Sequence, residues 1–513
     1  MFSSLFLASY GSLLFELSLA KVFSLLSDDG VLWESLTIGV FLFGIGLGVL
    51  WGNRSSMQSI SLASVEKYLF FIGLGSYPLI EFIHIYYRIY LFGFNAHSFW
   101  ILRGILGALE FLPLYGGVLT GLEVGLLYRR HTEISGHRPS MFFCLYEFGA
   151  VLAAYTVTSV SYLCNSDSLP FLLGALCHGW IYTQMKRPFW GLWKWKLACL
   201  ALGIIGLEGG NRWMEQWQLK TFYYNQPQVT QRDGRVFIQP FGLWEWVWRQ
   251  KEYPAVERLH SHYQVLDLVS DTEGKEWALY LNHHFQLSTE TEYAYHHALA
   301  AYPMTVAHIA PKTILVLGAG DGFLVRELLK YPSVEKIVLV ELDPAMLEWA
   351  KGPRFSARNE HSLFDSRVEV VAEDAWWWVR HHTERFDAIL LDFPYPYGSD
   401  GLRLYSTEFF SFLRHHLQPR GYIALDVPLW LGASGGSNEV LLATLQAAGF
   451  PHSLGFQSGG ETFLYTGVDC AMEPPPWTKQ DMITPIELPS VSEGTRGNHL
   501  LHPRVLGFPD RLL

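Results

Sequence analysis

Charge is what this chain has least of. Asp, Glu, Lys and Arg together make up 17% of its 513 residues, hydrophobic residues make up 50%, and the mean hydropathy is +0.15. A soluble domain usually carries about 25% charged residues, so this composition excludes an ordinary soluble average along the whole length. Lysine and arginine form no clusters with interleaved aromatics, and the formal net charge is −11, which argues against a nucleic-acid partner. There are only five cysteines. Cys144, Cys164, Cys177 and Cys199 lie in or beside apolar segments, Cys470 stands alone, and no pair has metal-ligand spacing, so neither a disulfide framework nor a metal site is expected. No internal repeat is present. The apolar start has no basic residues before it and no small-residue cleavage site, which does not fit a signal peptide.

The apolar residues concentrate toward the N-terminus. Seven segments near membrane-spanning length fall at 4–25, 31–51, 68–84, 98–127, 142–163, 168–184 and 192–209. The fourth is overlong and contains Pro113, so a tilted or broken helix is expected there. Gly44, Gly46 and Gly48 give the second a small-residue face for close helix packing. Glu16, Glu34, Glu81, Glu110, Glu123 and Glu147 lie in or at the ends of these spans. Such acids either line a polar path for a cationic molecule or hydrogen-bond neighbouring helices. Basic residues follow the even-numbered spans, and those loops should face the cytoplasm. With seven spans the C-terminal part would then face away from it. The reading is a multi-pass protein of the cell membrane, in contact with the lipid bilayer, with the side of its soluble part left open.

Four regions are expected: a transmembrane domain of about seven helices (1–210), a linker with a small β-hairpin subdomain (211–300), an α/β Rossmann-like domain of methyltransferase type (301–470) and a Pro-rich, loosely ordered tail (471–513). The hairpin is read from Tyr263–Val269 and Trp277–Leu287, separated by the turn-prone residues 271–274. In the α/β part, Thr313–Leu317 is an apolar strand, and Gly318, Gly320 and Gly322 follow. A helix (Phe323–Lys330) and a second strand (Ile337–Val340) come next. Glu341 ends that strand about 20 residues on, where ribose hydroxyls are commonly held. Asp321, an acid inside the loop, would repel a pyrophosphate but suits a phosphate-free, cationic ligand such as a sulfonium nucleoside.

Ligands of open α/β sheets bind outside the carboxyl ends of the strands. Four strand ends carry an acid: Asp321, Glu341, Asp374 (followed by Ala375) and Asp392. Glu341 can accept hydrogen bonds from both ribose hydroxyls, Asp374 from an adenine amine, and Ala375 leaves room for the ring. Asp321 and Asp392 make the crevice electronegative, and a carboxylate such as Asp392 can draw the proton from an attacking amine. Each acid taken singly is equally a helix cap or a solvated turn.

Taken together, the motifs resemble the spermidine synthase family of polyamine aminopropyltransferases over 262–465. They are Tyr263-Gln264, Phe285-Gln286, Tyr295-His296, Gly318 to Gly322, Glu341 to Pro344, Glu373 to Ala375 and Asp392 to Gly398. The resemblance implies transfer of an aminopropyl group from decarboxylated S-adenosylmethionine, as co-substrate, to a small diamine or polyamine, probed first with putrescine; no cofactor is bound permanently. It implies that Gln264, Gly318, Gly320, Glu341, Asp374 and Ala375 hold the donor, that His296, Asp321 and Tyr395 border the amine, and that Asp392 is the proton acceptor. By analogy with the family it also implies a homo-oligomer. Two positions depart from the pattern: Tyr395 and His297 stand where the family has acids. Ala319 replaces the middle glycine, a mild change if its φ is negative. The alternatives are an S-adenosylmethionine-dependent methyltransferase and a polyamine-sensing or transporting membrane protein.

Overall fold

The computed structural model describes residues 2–26, 30–52, 60–90, 104–135, 139–186, 193–224, 228–232, 235–239, 243–307, 309–394, 399–427, 437–468, 483–486, 488, 490–491 and 495–500. Two compact units divide the chain, Met1–Gly274 and Lys275–Leu513.

The first unit contains the long helices α1 (Phe2–Leu25), α2 (Gly30–Gly52), α3 (Leu62–Tyr90), α4 (Phe111–Ser135), α5 (Pro139–Cys164), α6 (Leu169–Lys186) and α7 (Trp193–Tyr224). Among the described residues five stretches are long and apolar enough to cross a membrane: 3–25, 32–52, 62–86, 104–132 and 140–164. The fourth is interrupted at Glu110, as Pro113 leads one to expect, because proline has no N–H to continue the ladder. Helix α2 packs on α4 through glycine. A Cβ on Gly48 would lie 2.1 Å from the Val118 carbonyl oxygen, and one on Gly121 would lie 2.2 Å from that of Ile45. Gly44 and Gly117 meet in the same seam, whereas Gly46 faces open space and takes no part. Glu34 and Glu147 are exposed, while Glu16, Glu81, Glu110 and Glu123 are buried.

Helix α7 runs well past the expected end of the last apolar segment. Its final turns are fastened to the hairpin of β3 (Glu257–His260) and β4 (Val265–Ser270). The Tyr223 hydroxyl donates to Asp267 at 2.6 Å and that of Tyr224 to the Ser270 carbonyl at 2.8 Å; Arg258 forks onto Asp267 at 2.7 Å through both Nε and Nη2. These polar anchors, invisible to apolar periodicity, extend the helix. Before them lie a second hairpin, β1 (Gln228–Arg232) with β2 (Arg235–Gln239), and helix α8 (Leu243–Glu252).

In the second unit, Trp277–Leu287 is not one strand. It is a hairpin of its own, β5 (Trp277–Leu281) and β6 (His284–Ser288), because Asn282 and His283 both take positive φ, 49° and 69°. That pair of left-handed residues is what a two-residue hairpin turn requires. Helix α9 (Glu292–Ala307) leads to β7 (Thr313–Gly318), α10 (Phe323–Leu329), β8 (Lys336–Glu341), α11 (Pro344–Lys351), β9 (Val368–Ala372), α12 (Ala375–His381), β10 (Phe386–Asp392), α13 (Thr407–His415), β11 (Leu417–Asp426), α14 (Ser437–Ala447), β12 (His452–Ser458), β13 (Glu461–Gly467) and β14 (Ile483–Ile486). The eight strands lie in the order β14-β12-β13-β11-β10-β7-β8-β9. The five from β9 to β11 are parallel, and β13, β12 and β14 add on antiparallel. Their core is continuous and aliphatic, with Leu315, Val338, Ile389 and Ile423 buried.

The Pro-rich run 474–476 and most of the expected loose tail lie outside the described residues, but short pieces of 483–500 are packed on the sheet. β14 pairs with β12, and Asn498 is buried, its side-chain amide donating to the carbonyls of Leu402 at 2.9 Å and Tyr405 at 3.2 Å. Its backbone N–H reaches Thr444 Oγ1 at 2.8 Å. Two orphan carbonyls ending a helical turn attract this amide, and composition does not register that. Removing it leaves both carbonyls unpaired. Asn498→Ala is expected to destabilise the full-length protein by about 1–3 kcal/mol, read as a lower midpoint in thermal unfolding; an unchanged midpoint would return the tail to a passive role.

Candidate active site

The strand order reverses between β7 and β10, which opens a crevice at their carboxyl ends. At that point Gly318 pairs in register with Asp392, and a Cβ on Gly318 would lie 2.1 Å from the Asp392 carbonyl oxygen. Only glycine fits, and its φ is +84°. The next close approach is at Gly320, where a Cβ would fall 2.7 Å from Glu341 Cγ. So the loop after β7 rests on Asp392 on one side and Glu341 on the other.

Glu341 accepts from the backbone N–H of Asp343 at 2.9 Å, and burial pushes its carboxyl up to about 7, against the relief of that hydrogen bond. Asp321 accepts from the Phe323 N–H at 2.8 Å; burial and the nearby Asp392 raise its pKa, although His296 opposes them. Ala319 has φ +60°, not the negative value that would make the glycine replacement mild. The turn between β7 and α10 needs a left-handed residue there, and a Cβ in that conformation is strained.

Asp392 is held from helix α9. The Tyr295 hydroxyl donates to Asp392 Oδ1 at 2.6 Å, and His296 Nε2 lies 4.0 Å from Asp392 Oδ2. His296 is in turn fixed by Glu292, whose carboxylate is 3.0 Å from Nδ1 and bound by both terminal nitrogens of Arg326 at 2.9 and 3.0 Å. Burial works against a charged His296, but the hydrogen bond its Nδ1–H donates to Glu292 and the charges of Asp321 and Asp392 raise its pKa nonetheless. His297 stacks on Tyr293 and lies 3.7 Å from Glu327, so it is occupied on α9 itself.

Of the expected site residues, Gly318, Gly320, Asp321, Glu341, His296 and Asp392 converge around the crevice. Asp374 does so with its carboxylate engaged: one oxygen caps α12 through the Trp376 N–H at 2.8 Å and the other accepts from Arg403 at 2.8 Å. Ala375 opens that helix and is buried. Gln264 belongs to the first unit, where its N–H bonds Ser261 Oγ at 2.9 Å. Tyr395 lies outside the described residues.

Sequence reasoning missed Tyr295, Glu292 and Arg326 as the frame of the acid, and it missed Asp426. Asp426 ends β11, next to β10, and is buried, with no hydrogen-bond partner for Oδ1 among the described residues. Burial, Glu461 and Asp392 raise its pKa far above the usual carboxylate range. The rule that picked out the other four acids, an acid at the end of a parallel strand, would have found it.

The sheet is Rossmann-like, with a glycine turn, a buried acid ending β8 and a framed carboxylate at the switch point, the place where open α/β sheets bind ligands. Residues 292–427 match the spermine/spermidine synthase domain. Over 437 residues the chain is 29% identical to a polyamine aminopropyltransferase of Oceanobacillus iheyensis, covering 82% of this chain and 76% of that protein. It is 27% identical to polyamine aminopropyltransferase 2 of Ralstonia nicotianae over 442 residues, covering 82% and 77%. The solved spermidine synthase of Thermotoga maritima matches 44% of this chain and 75% of its own, at 24% identity and a TM-score of 0.35. The chain is thus similar to polyamine aminopropyltransferases over most of its length, and to the spermine/spermidine synthase domain over residues 292–427. The 82% coverage exceeds what the second unit alone can supply, so the likeness to the two relatives includes helices of the first.

The positive φ of Ala319 generates a test. Ala319→Gly removes the left-handed strain and is expected to stabilise the protein by about 1 kcal/mol, raising the thermal midpoint by about 2–4 °C. A lower midpoint would mean that the Ala319 methyl group contributes more through packing than it costs through strain.

Proposed function

We propose that the chain transfers the aminopropyl group of decarboxylated S-adenosylmethionine to the amine of putrescine, giving spermidine and methylthioadenosine. The observation that carries this reading is Asp392, held by Tyr295 and His296 in register beside the donor loop. The amine nitrogen attacks the aminopropyl carbon, the carbon–sulfur bond breaks, and its electron pair neutralises the sulfonium. Asp392 takes the proton that leaves the nitrogen. Alignment and proton removal are most of what the protein must supply, because the sulfonium is already a good leaving group. Gly318 and Gly320 bring the main chain close to the donor, Glu341 accepts from its ribose hydroxyls, and Asp374 and Ala375 border the adenine.

A diamine has a second ammonium to satisfy. Asp321 makes the channel negative, and Asp426, whose Oδ1 has no hydrogen-bond partner among the described residues, supports a diamine in place of the family acid that Tyr395 replaces. The helical unit is read as lying in a bilayer, which agrees with the exposure of Leu42, Phe43, Phe71, Phe82, Val151 and Leu163 on α2, α3 and α5.

Mass spectrometry of products tests the reaction. Full-length protein in detergent, offered each donor separately with a mixture of amines, is expected to form methylthioadenosine and an amine one aminopropyl group heavier from the decarboxylated donor alone. S-adenosylhomocysteine with a methylated product would establish methyl transfer instead. Asp392→Asn is expected to lower kcat by about 10²–10⁴; near-normal turnover would remove Asp392 from the chemistry.

Glu341 gives the donor site a pH dependence. Its carboxyl is pushed up to about 7, so the folded protein holds this proton more tightly than the unfolded chain. The sign follows: in the ligand-free protein its contribution to stability is greatest below about 4.5 and is lost as the pH rises through about 7. Ribose hydroxyls need the ionised form. Affinity for methylthioadenosine should therefore rise about tenfold between pH 6 and pH 8, and the rise should vanish in Glu341→Gln. Equal slopes in the two proteins would assign the titration to another group.

A further inference from the structure

We propose that the helical unit holds a divalent transition-metal ion, of the zinc, iron(II) or manganese class, between Glu66 of α3, Glu123 of α4 and His178 of α6. The ligand atoms of these three side chains lie within 4.8 Å of one another, and the side chains are 0%, 0% and 2% exposed. His178 Nδ1 is 2.9 Å from Glu66 Oε2 and 3.5 Å from Glu123 Oε1. Bonds of about 2.0–2.2 Å to a tetrahedral ion put its ligand atoms about 3.3–3.6 Å apart, so only a small adjustment is needed.

The proton count points the same way. The Ser12 hydroxyl has one hydrogen, and it donates to Glu123 Oε2 at 3.3 Å. Toward His178 Nε2, 3.4 Å away, Ser12 can therefore only accept. Nε2 then carries an imidazole hydrogen, and Nδ1 faces two carboxylates, where either a second proton or a metal ion can sit. Three acceptors facing one another require a cation among them. Among the described residues neither carboxylate has a lysine or arginine partner, and Glu66 Oε1 and Glu123 Oε1 have no hydrogen-bond donor. A divalent ion balances the two carboxylates around a neutral imidazole and uses both free oxygens. One nitrogen with two carboxylates suits zinc, iron(II) or manganese better than calcium or magnesium, which favour all-oxygen shells. Ser12, itself bonded by Thr120 at 3.1 Å, fixes the imidazole tautomer from behind, as the outer partners of metal-bound histidines do.

Sequence reading missed this cluster because its third span began at residue 68, six residues after the true start of α3, which left Glu66 in a loop, and because it looked for metal ligands only among cysteines.

Elemental analysis of the tag-free full-length protein tests the proposal, as purified in detergent and again after chelation and reloading with Zn²⁺, Fe²⁺ or Mn²⁺ singly. About one equivalent of one of these ions per chain is expected, with a thermal midpoint that rises with free ion. Ser12→Ala, which keeps all three ligands, is expected to weaken binding about tenfold or more, and the double variant E66Q/E123Q to lose it. If the double variant fails to fold, the wild-type stoichiometry and Ser12→Ala still decide. No ion retained by the wild type after reloading, or equal retention in folded E66Q/E123Q, would overturn the proposal and leave a proton as the cation on Nδ1.

Discussion

The close contact of Gly318 with the Asp392 main chain is the constraint on which the site depends. Two parallel strands meet there without an intervening side chain, and the loop that follows is pressed between Asp392 and Glu341. Any larger residue would push β7 from β10 and move Asp392 relative to the loop after β7 at once. The framing of Asp392 from α9 uses the remaining freedom. Tyr295 fixes one carboxylate oxygen, while Arg326 and Glu292 hold His296 near the other. Position and charge are thus set by main chain and by buried hydrogen bonds, not by flexible surface side chains.

Around this contact the fold gathers carboxylates that oppose one another. Asp321, Glu341 and Asp426 are all raised by burial, and Asp392 adds to the pressure on two of them. His296 and Arg326 answer only part of that charge. An empty crevice of this kind is under electrostatic strain, and a ligand carrying positive charge relieves it.

Much of the second unit was legible. Thr313–Leu317, the glycines and Glu341 gave the strand, turn and nucleoside unit because β-branched runs and glycine turns are local signals. Asp392 was legible from the strand-end rule. What escaped reading was set by contacts distant in sequence: the pairing of β14 with β12, the latch at Asn498, the tyrosines that extend α7 onto its hairpin, and the α9 frame around Asp392. The left-handed turn at Asn282-His283 and the positive φ of Ala319 escaped for another reason. Asn282 and His283 do tolerate positive φ, but they sit inside what reads as one apolar run, and alanine does not announce that conformation at all. Glu66 was hidden by a helix boundary, where periodicity is weakest.

The glycine seam between α2 and α4 sets a different kind of limit, one on how this protein can drift over generations. At Gly44, Gly48, Gly117 and Gly121 main chain touches main chain, so these four places have no side chains to exchange and no repacking to offer. Glu123 follows Gly121 by two residues, and one residue of axial slip along α4 would move it by about 1.5 Å. The outward face of α2, with Leu42, Phe43 and Leu50, is free to vary among apolar residues. A lineage can therefore rewrite the exterior of this bundle extensively while its inner seam stays closed to every residue but the smallest.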